Sequence, residues 1–184
     1  MKIADGGRHD MATYGTTYTT VSKVLVTVLL VIWWWLVPTV GFGGRHDVAT
    51  CGTIWEHLLW PMGHANVWHL AGNLWVLWWL KGRLHLRVAY LMAVVCSMVP
   101  GVPGVWELFS LAEPAGTVGF SGVLCAVIGM RWGEWVKGCC DTAAYVTFGK
   151  RVLPFVAVGF LVPHVNWSIH LYCLLAGLAY GRCK

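Results

Sequence analysis

The stretch Gly119-Phe120-Ser121-Gly122 places a serine among small residues at the start of an apolar run that continues to Val136. A hydroxyl in such a run calls for an explanation, because polar groups are costly inside a bilayer. Two further stretches offer one: residues 64–73, which read HANVWHLAGN, and His170 at the head of the last apolar run. A serine with a nearby histidine base is a common arrangement for nucleophilic catalysis.

The composition of the 184-residue chain is that of a membrane protein. Hydrophobic residues make up 58% of the sequence and charged residues 11%, and a soluble domain of this size cannot bury so much apolar surface. The fold class we predict is all-α, as a polytopic membrane protein. The net charge of +5 does not indicate a nucleic-acid partner, because the basic residues are distributed between the apolar runs as a topology signal.

Six apolar segments can be compared with the about 20 residues that cross a bilayer as a helix. They are Val21–Phe42, Val67–Leu80, Val88–Val105, Val118–Val136, Val152–Val165 and Trp167–Gly181. We therefore predict a short cytoplasmic N-terminal segment over residues 1–20 and a six-helix membrane domain over residues 21–184.

The loop before the second segment has two notable patterns. Trp55, Leu58, Leu59 and Met62 recur at helical spacing, which fits either a short amphipathic helix in the outer leaflet or an ordinary apolar loop. Residues 43–53 also repeat residues 6–16 at nine of eleven positions. The predicted topology puts the two copies on opposite membrane faces, so they cannot form one site.

The basic residues predict the orientation. Twelve of the 13 lie on one side of the membrane in the six-helix arrangement, and only Arg45 lies on the other. The positive-inside rule then places both termini in the cytoplasm. Helices two, four and six run from outside to inside, so His64, Ser121 and His170 are expected at similar depth near the outer face.

Small residues support contact between the fourth and sixth helices. Below Ser121 come Cys125, Gly129 and Gly133 at every fourth position, and below His170 come Cys173, Gly177 and Gly181. Stripes of small residues let membrane helices approach closely. If the two stripes face each other, the serine hydroxyl and the imidazole are within reach.

The chemistry of these groups is acyl transfer. His170 can take the proton of Ser121, and the alkoxide can attack a peptide carbonyl. The oxyanion needs donors, and the candidates are the backbone N–H of Ser121 and the side chains of His69 and Asn73, which are four residues apart and so share a helix face. No acidic residue within the spans can orient the base, which makes this a dyad. His164 is the rival base.

These residues resemble the rhomboid family of intramembrane serine proteases. The resemblance extends from the second helix to the C-terminus. It rests on three motifs in family order, which are His64-x4-His69-x3-Asn73, Gly119-x-Ser121-Gly122 and the stretch from His170 to Gly177. The fold that the resemblance implies is a six-transmembrane-helix, rhomboid-like bundle.

The resemblance also implies residue roles. Ser121 corresponds to the nucleophile and His170 to the general base. His69 and Asn73 correspond to the residues that assist the oxyanion. The same comparison gives Gly119 a role in shaping the site, and His64 a more structural one.

The chain departs from the family pattern at four positions. The frequent Trp-Arg before the second helix is Trp55-Glu56, and the usual alanine before the base is Ile169. An aromatic residue often found four residues after the serine is Cys125, and a glycine three residues after the base is Cys173. None of these changes removes a predicted catalytic group.

The function we predict is intramembrane endopeptidase activity on single-pass transmembrane substrates, cut near the outer membrane face. The expected partners are those substrates and the lipid bilayer, in a bacterial inner membrane, with no nucleic acid. We expect no metal or cofactor, because the chain has no H-E-x-x-H motif and its spans carry no paired aspartates. The alternative is a catalytically inactive rhomboid-like protein that binds transmembrane clients. A transporter is less favoured, because no interrupted helices with paired repeats occur.

Overall fold

The computed structural model describes residues 6–36, 54–111, 118–138 and 165–184, with single residues at 143, 146, 147, 150, 154, 160 and 161. All regular elements in this part of the chain are helical, which confirms the all-α prediction there. The helices are α1 (Gly6–Leu36), α2 (Ile54–Leu59), a 3₁₀ turn (Trp60–Met62), α3 (Val67–Trp79), α4 (Leu86–Cys96), α5 (Val105–Leu108), α6 (Ser121–Gly138) and α7 (Trp167–Cys183).

Two of the predicted segments begin at an asparagine cap. The Asn66 side chain accepts a hydrogen bond from the backbone N–H of His69 at 2.8 Å, and α3 starts at the next residue. Asn166 does the same for α7, since its Oδ1 accepts from the N–H of Ile169 and, at 2.7 Å, from the Ser168 hydroxyl. Asparagine is among the best N-cap residues. Both helices therefore begin at the residues predicted from the sequence, Val67 and Trp167.

The first helix is longer than the predicted first segment. It begins at Gly6, so most of the predicted N-terminal segment 1–20 is helical. Within it, Tyr18–Leu36 is long and apolar enough to cross a membrane, and it is the one such helix among the described residues. The count of six spans therefore stays a prediction.

The predicted C-terminal end of the third segment is wrong. Its helix, α4, stops at Cys96, whereas the apolar run continues to Val105. The hydroxyl of Ser97 bonds back to the carbonyl of Val94 at 2.6 Å. Pro100 and Pro103 then prevent the helix from continuing, because proline has no N–H and restricts the residue before it.

Most of the fifth predicted segment, Val152–Val165, lies outside the described residues, as does the second copy of the repeat. Of the two interpretations left open for the loop before the second segment, the structure agrees with the helical one, because α2 and the 3₁₀ turn cover residues 54–62. Trp55 on α2 is exposed, whereas Trp60 and Pro61 of the 3₁₀ turn are buried.

The core lies where α6 packs along α7, with α4 against both helices. Its fully buried side chains include Val123, Met130 and Cys173. On the side of α3, the Lys23 ammonium of α1 donates to the carbonyls of Trp78, at 3.2 Å, and Leu80. These bonds satisfy carbonyl groups at the end of α3 that have no partner within the helix, and they join α1 to α3.

Candidate functional site

Ser121 and His170 are hydrogen-bonded to each other. Ser121 Oγ lies 2.8 Å from His170 Nε2. Ser121 is the first residue of α6 and His170 lies in the first turn of α7, so both polar groups are at the same end of the packed helix pair. In the neutral tautomer with its proton on Nδ1, Nε2 is the acceptor for the hydroxyl proton.

The glycine stripes explain why the two helices come so close. A Cβ on Gly129 would collide with the backbone of α7 at Leu174 and would lie 2.8 Å from the backbone nitrogen of Leu178. A Cβ on Gly177 would collide in the same way with the backbone of Ala126 on α6. The prediction that the stripes face each other is confirmed. Backbones at this distance hold the Ser121 and His170 side chains within bonding reach.

The turn before α6 brings Gly119 against α3. Gly119 has a φ of 115°, a conformation that favours glycine. A side chain there would also be excluded by space, because a Cβ would lie 2.6 Å from His69 Cε1 and 3.3 Å from Asn73 Nδ2. The structure therefore brings Gly119, His69 and Asn73 together. Gly119 is separated from Ser121 only by Phe120.

Hydrogen-bond donors converge on this space. Asn73 is buried, and its Nδ2 has no hydrogen-bond partner in the described part of the chain. The backbone N–H groups at the start of α6 lack intrahelical partners, as at any helix N-terminus, and carry the positive end of the helix dipole. A buried, unsatisfied donor is costly unless a ligand uses it. The arrangement can stabilise an oxyanion formed next to Ser121.

His64 is fully buried in the loop before α3. Its Nδ1–H donates to the carbonyl of Met62 at 3.2 Å, and its ring makes an edge contact with His69 at a centroid distance of 5.2 Å. Burial, together with the nearby His69, lowers the pKa of His64 to about 4, so the ring is neutral at physiological pH. This neutral ring packs against His69, and the structural role of His64 stays a prediction.

Trp60 is a further residue of the site, and no sequence motif indicates it. Its carbonyl accepts two hydrogen bonds, from the N–H of Gly119 at 3.0 Å and from the N–H of Gly63 at 3.2 Å. Its ring packs on Gly122, where a Cβ would lie 2.5 Å from the edge of the indole. Trp60 thereby joins the loop before α3 to both glycines that flank the Phe120-Ser121 pair. No local pattern in the sequence connects residues 60 and 119.

The layer beneath Ser121 and His170 contains three buried cysteines. Cys125 and Cys173, the two departures from the family pattern, are both buried. The Cys173 sulfur lies 3.4 Å from the Cβ position of Gly122, and its thiol is within hydrogen-bonding reach of Cys96 on α4. Cys96 was not foreseen. Direct contact between Cys125 and Cys173 stays a prediction.

The rival base, His164, lies outside the described residues. All six predicted site residues lie within them: Ser121, His170, His69, Asn73, Gly119 and His64. Of these, Ser121 and His170 form one hydrogen-bonded pair. The other four form a second group, in which Gly119 lies against His69 and Asn73, and His64 contacts His69.

Comparison with protein families gives a match to a known domain. The Rhomboid domain model matches residues 51–184, which is more than half of the chain and includes every predicted site residue. Comparison with curated proteins gives no match.

Proposed function

The chain belongs to the rhomboid family and is an integral membrane protein, and from that premise we propose that it is an intramembrane serine endopeptidase. Ser121 is the proposed nucleophile and His170 the proposed general base. The observation that carries the proposal is the 2.8 Å distance between Ser121 Oγ and His170 Nε2.

The proposed reaction proceeds in two steps. His170 Nε2 takes the hydroxyl proton while Ser121 Oγ attacks the scissile carbonyl, and the oxyanion accepts hydrogen bonds from Asn73 Nδ2, from His69 and from the N–H of Ser121. The tetrahedral intermediate collapses when His170 returns the proton to the leaving amine. Water then attacks the acyl-enzyme, with His170 again as base, and releases the second product.

The proposed substrates are single-pass transmembrane proteins. The peptide bonds of an intact helix are shielded from attack, so the substrate has to unwind locally at the cut. Small or helix-breaking residues near the scissile bond make that unwinding less costly, because glycine and proline are the poorest helix formers. We therefore expect such residues at the cleavage site.

Labelling with a fluorophosphonate tests the nucleophile. Ser121 Oγ should attack phosphorus with loss of fluoride, while His170 takes the hydroxyl proton. We expect labelling of the parent and of Ser97→Ala, and none of Ser121→Ala or His170→Ala. Ser97 is the matched control, because it is also a buried serine near a histidine nitrogen, His57 Nδ1 at 3.0 Å, but it donates its hydroxyl proton to the Val94 carbonyl.

A transmembrane reporter substrate completes the test. The labelled proteins should cleave the reporter, and the unlabelled variants should not. A parent protein that takes no label and cleaves no reporter would overturn the proposal. That result would favour the alternative, an inactive family member that binds transmembrane clients. The departures from the family pattern at Glu56, Cys125 and Cys173 are the sequence evidence for this alternative.

We propose that the protein lies in a bacterial inner membrane with both termini in the cytoplasm, which puts the Ser121–His170 pair near the outer face. The proposal rests on the basic residues, twelve of which share one side. A reporter active only in the cytoplasm should be active after Lys184 and inactive within residues 100–115. The reverse result would put the pair on the cytoplasmic face.

A further inference from the structure

A groove of about 420 Å³ opens between α1 and α4. Most of its lining side chains are apolar, including Leu29 and Leu30 of α1, Leu91 of α4, and Phe120. The volume is within the about 300–1,000 Å³ of typical ligand sites. An apolar cavity has no partners for water, so the groove suits a hydrocarbon chain.

One charged residue, Arg87, is among the described residues that line the groove. It is exposed on the first turn of α4, and no residue in the described part of the chain gives it a hydrogen bond or an ion pair. Lys81 and Arg83 precede it in the same basic loop. The positive-inside rule places this loop at the cytoplasmic surface, where phospholipid phosphates lie.

The guanidinium group is suited to a phosphate. It presents its donors in a planar fork that matches two phosphate oxygens at once. A cation at one end of an apolar groove is complementary to an amphiphile with a negative head and an apolar tail. Of the molecules at this depth in a membrane, an anionic phospholipid has both parts.

We propose that the groove binds one anionic glycerophospholipid of the inner leaflet, with its phosphate on Arg87 and one acyl chain along α1 and α4 towards Phe120. The described lining of the groove includes neither Ser121 nor His170, and the proposal does not depend on proteolysis. It is specific for the head group through Arg87 and for the chain through the groove, and the two requirements can be tested apart.

The test counts bound lipids by native mass spectrometry. The full-length protein is delipidated in detergent and titrated with phosphatidylglycerol or with phosphatidylcholine of the same acyl chains. We expect one phosphatidylglycerol to bind at least fivefold tighter than phosphatidylcholine, which corresponds to the about 1 kcal/mol that one basic residue contributes at an anionic surface. Arg87→Gln should remove the preference. Arg83→Gln, an equal loss of charge in the same loop but outside the groove, should keep it.

A second pair of variants tests the acyl-chain part. Leu91→Trp should fill the groove and weaken both lipids. Val95→Trp, one turn along α4, should weaken neither, since Leu91 and Val95 are similarly exposed at 63% and 62% but only Leu91 lines the groove.

Four results would overturn the proposal. Equal affinity of the parent for the two lipids would remove the head-group claim, as would equal losses from Arg87→Gln and Arg83→Gln. Lipid binding that survives Leu91→Trp would remove the acyl-chain claim. A dimer mass that Leu91→Trp abolishes, with no lipid retained by the parent, would assign the groove to a second copy of the chain.

Discussion

Replacing Gly129 with alanine should separate the two helices that hold Ser121 and His170. The new Cβ would collide with the backbone of α7 at Leu174 and lie 2.8 Å from the nitrogen of Leu178. Neither neighbour can rotate away, because both are backbone atoms. The helices must therefore move apart, since packed interiors have no free space to absorb the methyl group.

The size of the movement follows from the contact distance. Non-bonded atoms are most stable at about 3.5 Å or more, so the contact with Leu178 alone requires a shift of about 0.7 Å. The shift acts eight residues, or about 12 Å, from Ser121 along α6. If α6 moves as a rigid body, the Ser121–His170 bond lengthens from 2.8 Å to about 3.5 Å, beyond the usual range for an O–H donor.

The expected effect is a ten- to hundredfold loss of turnover, because a misplacement of about 1 Å can cost about 10²-fold. Overpacking should lower the free energy of unfolding by about 1–3 kcal/mol. Cleavage of a transmembrane reporter measures the first effect, and thermal unfolding in detergent measures the second. Gly177→Ala should behave like Gly129→Ala, since its Cβ would meet the backbone of α6 at Ala126.

Gly72→Ala is the matched control. Among the described residues, no heavy atom outside its own helix backbone and chain neighbours lies within 4 Å of the Cβ position of Gly72 on α3, so this variant should keep the parent turnover. The reasoning fails if Gly129→Ala is folded and cleaves the reporter at the parent rate. It also fails if Gly72→Ala loses as much turnover as Gly129→Ala, because the loss would then not come from helix separation.

Three further predictions concern the surroundings of the Ser121–His170 pair. Gly119→Ala should reduce reporter cleavage at least tenfold, because its φ of 115° disfavours a side chain and the Cβ would lie 2.6 Å from an imidazole carbon; parent-like turnover would contradict this. Cys125→Tyr should reduce turnover and added Cys173→Gly should restore part of it, whereas purely additive effects in the double-mutant cycle would show that the two residues do not share a space. Trp60→Ala should lower the free energy of unfolding by about 3–5 kcal/mol, while Trp75→Ala at an exposed position should change it little, and equal thermal shifts for both would refute the buried role of Trp60.

The main features of the site were predictable because they depend on local patterns. Apolar runs indicate membrane helices whatever their neighbours, and Asn66 begins α3 through a bond within its own turn. The glycine stripes could be recognised from spacing alone, and the structure confirms that they face each other. A serine and a histidine at the heads of two such stripes then had to be close.

The sequence by itself determined the all-α class, the residues able to do chemistry and the helix faces on which they lie. The tertiary structure decided which distant groups meet: Ser121 with His170 at 2.8 Å across 49 residues of sequence, the Trp60 carbonyl with Gly119, and Arg87 with the groove beside α1. Such contacts depend on how helices are placed relative to one another, and that placement results from packing between surfaces that are far apart in the chain.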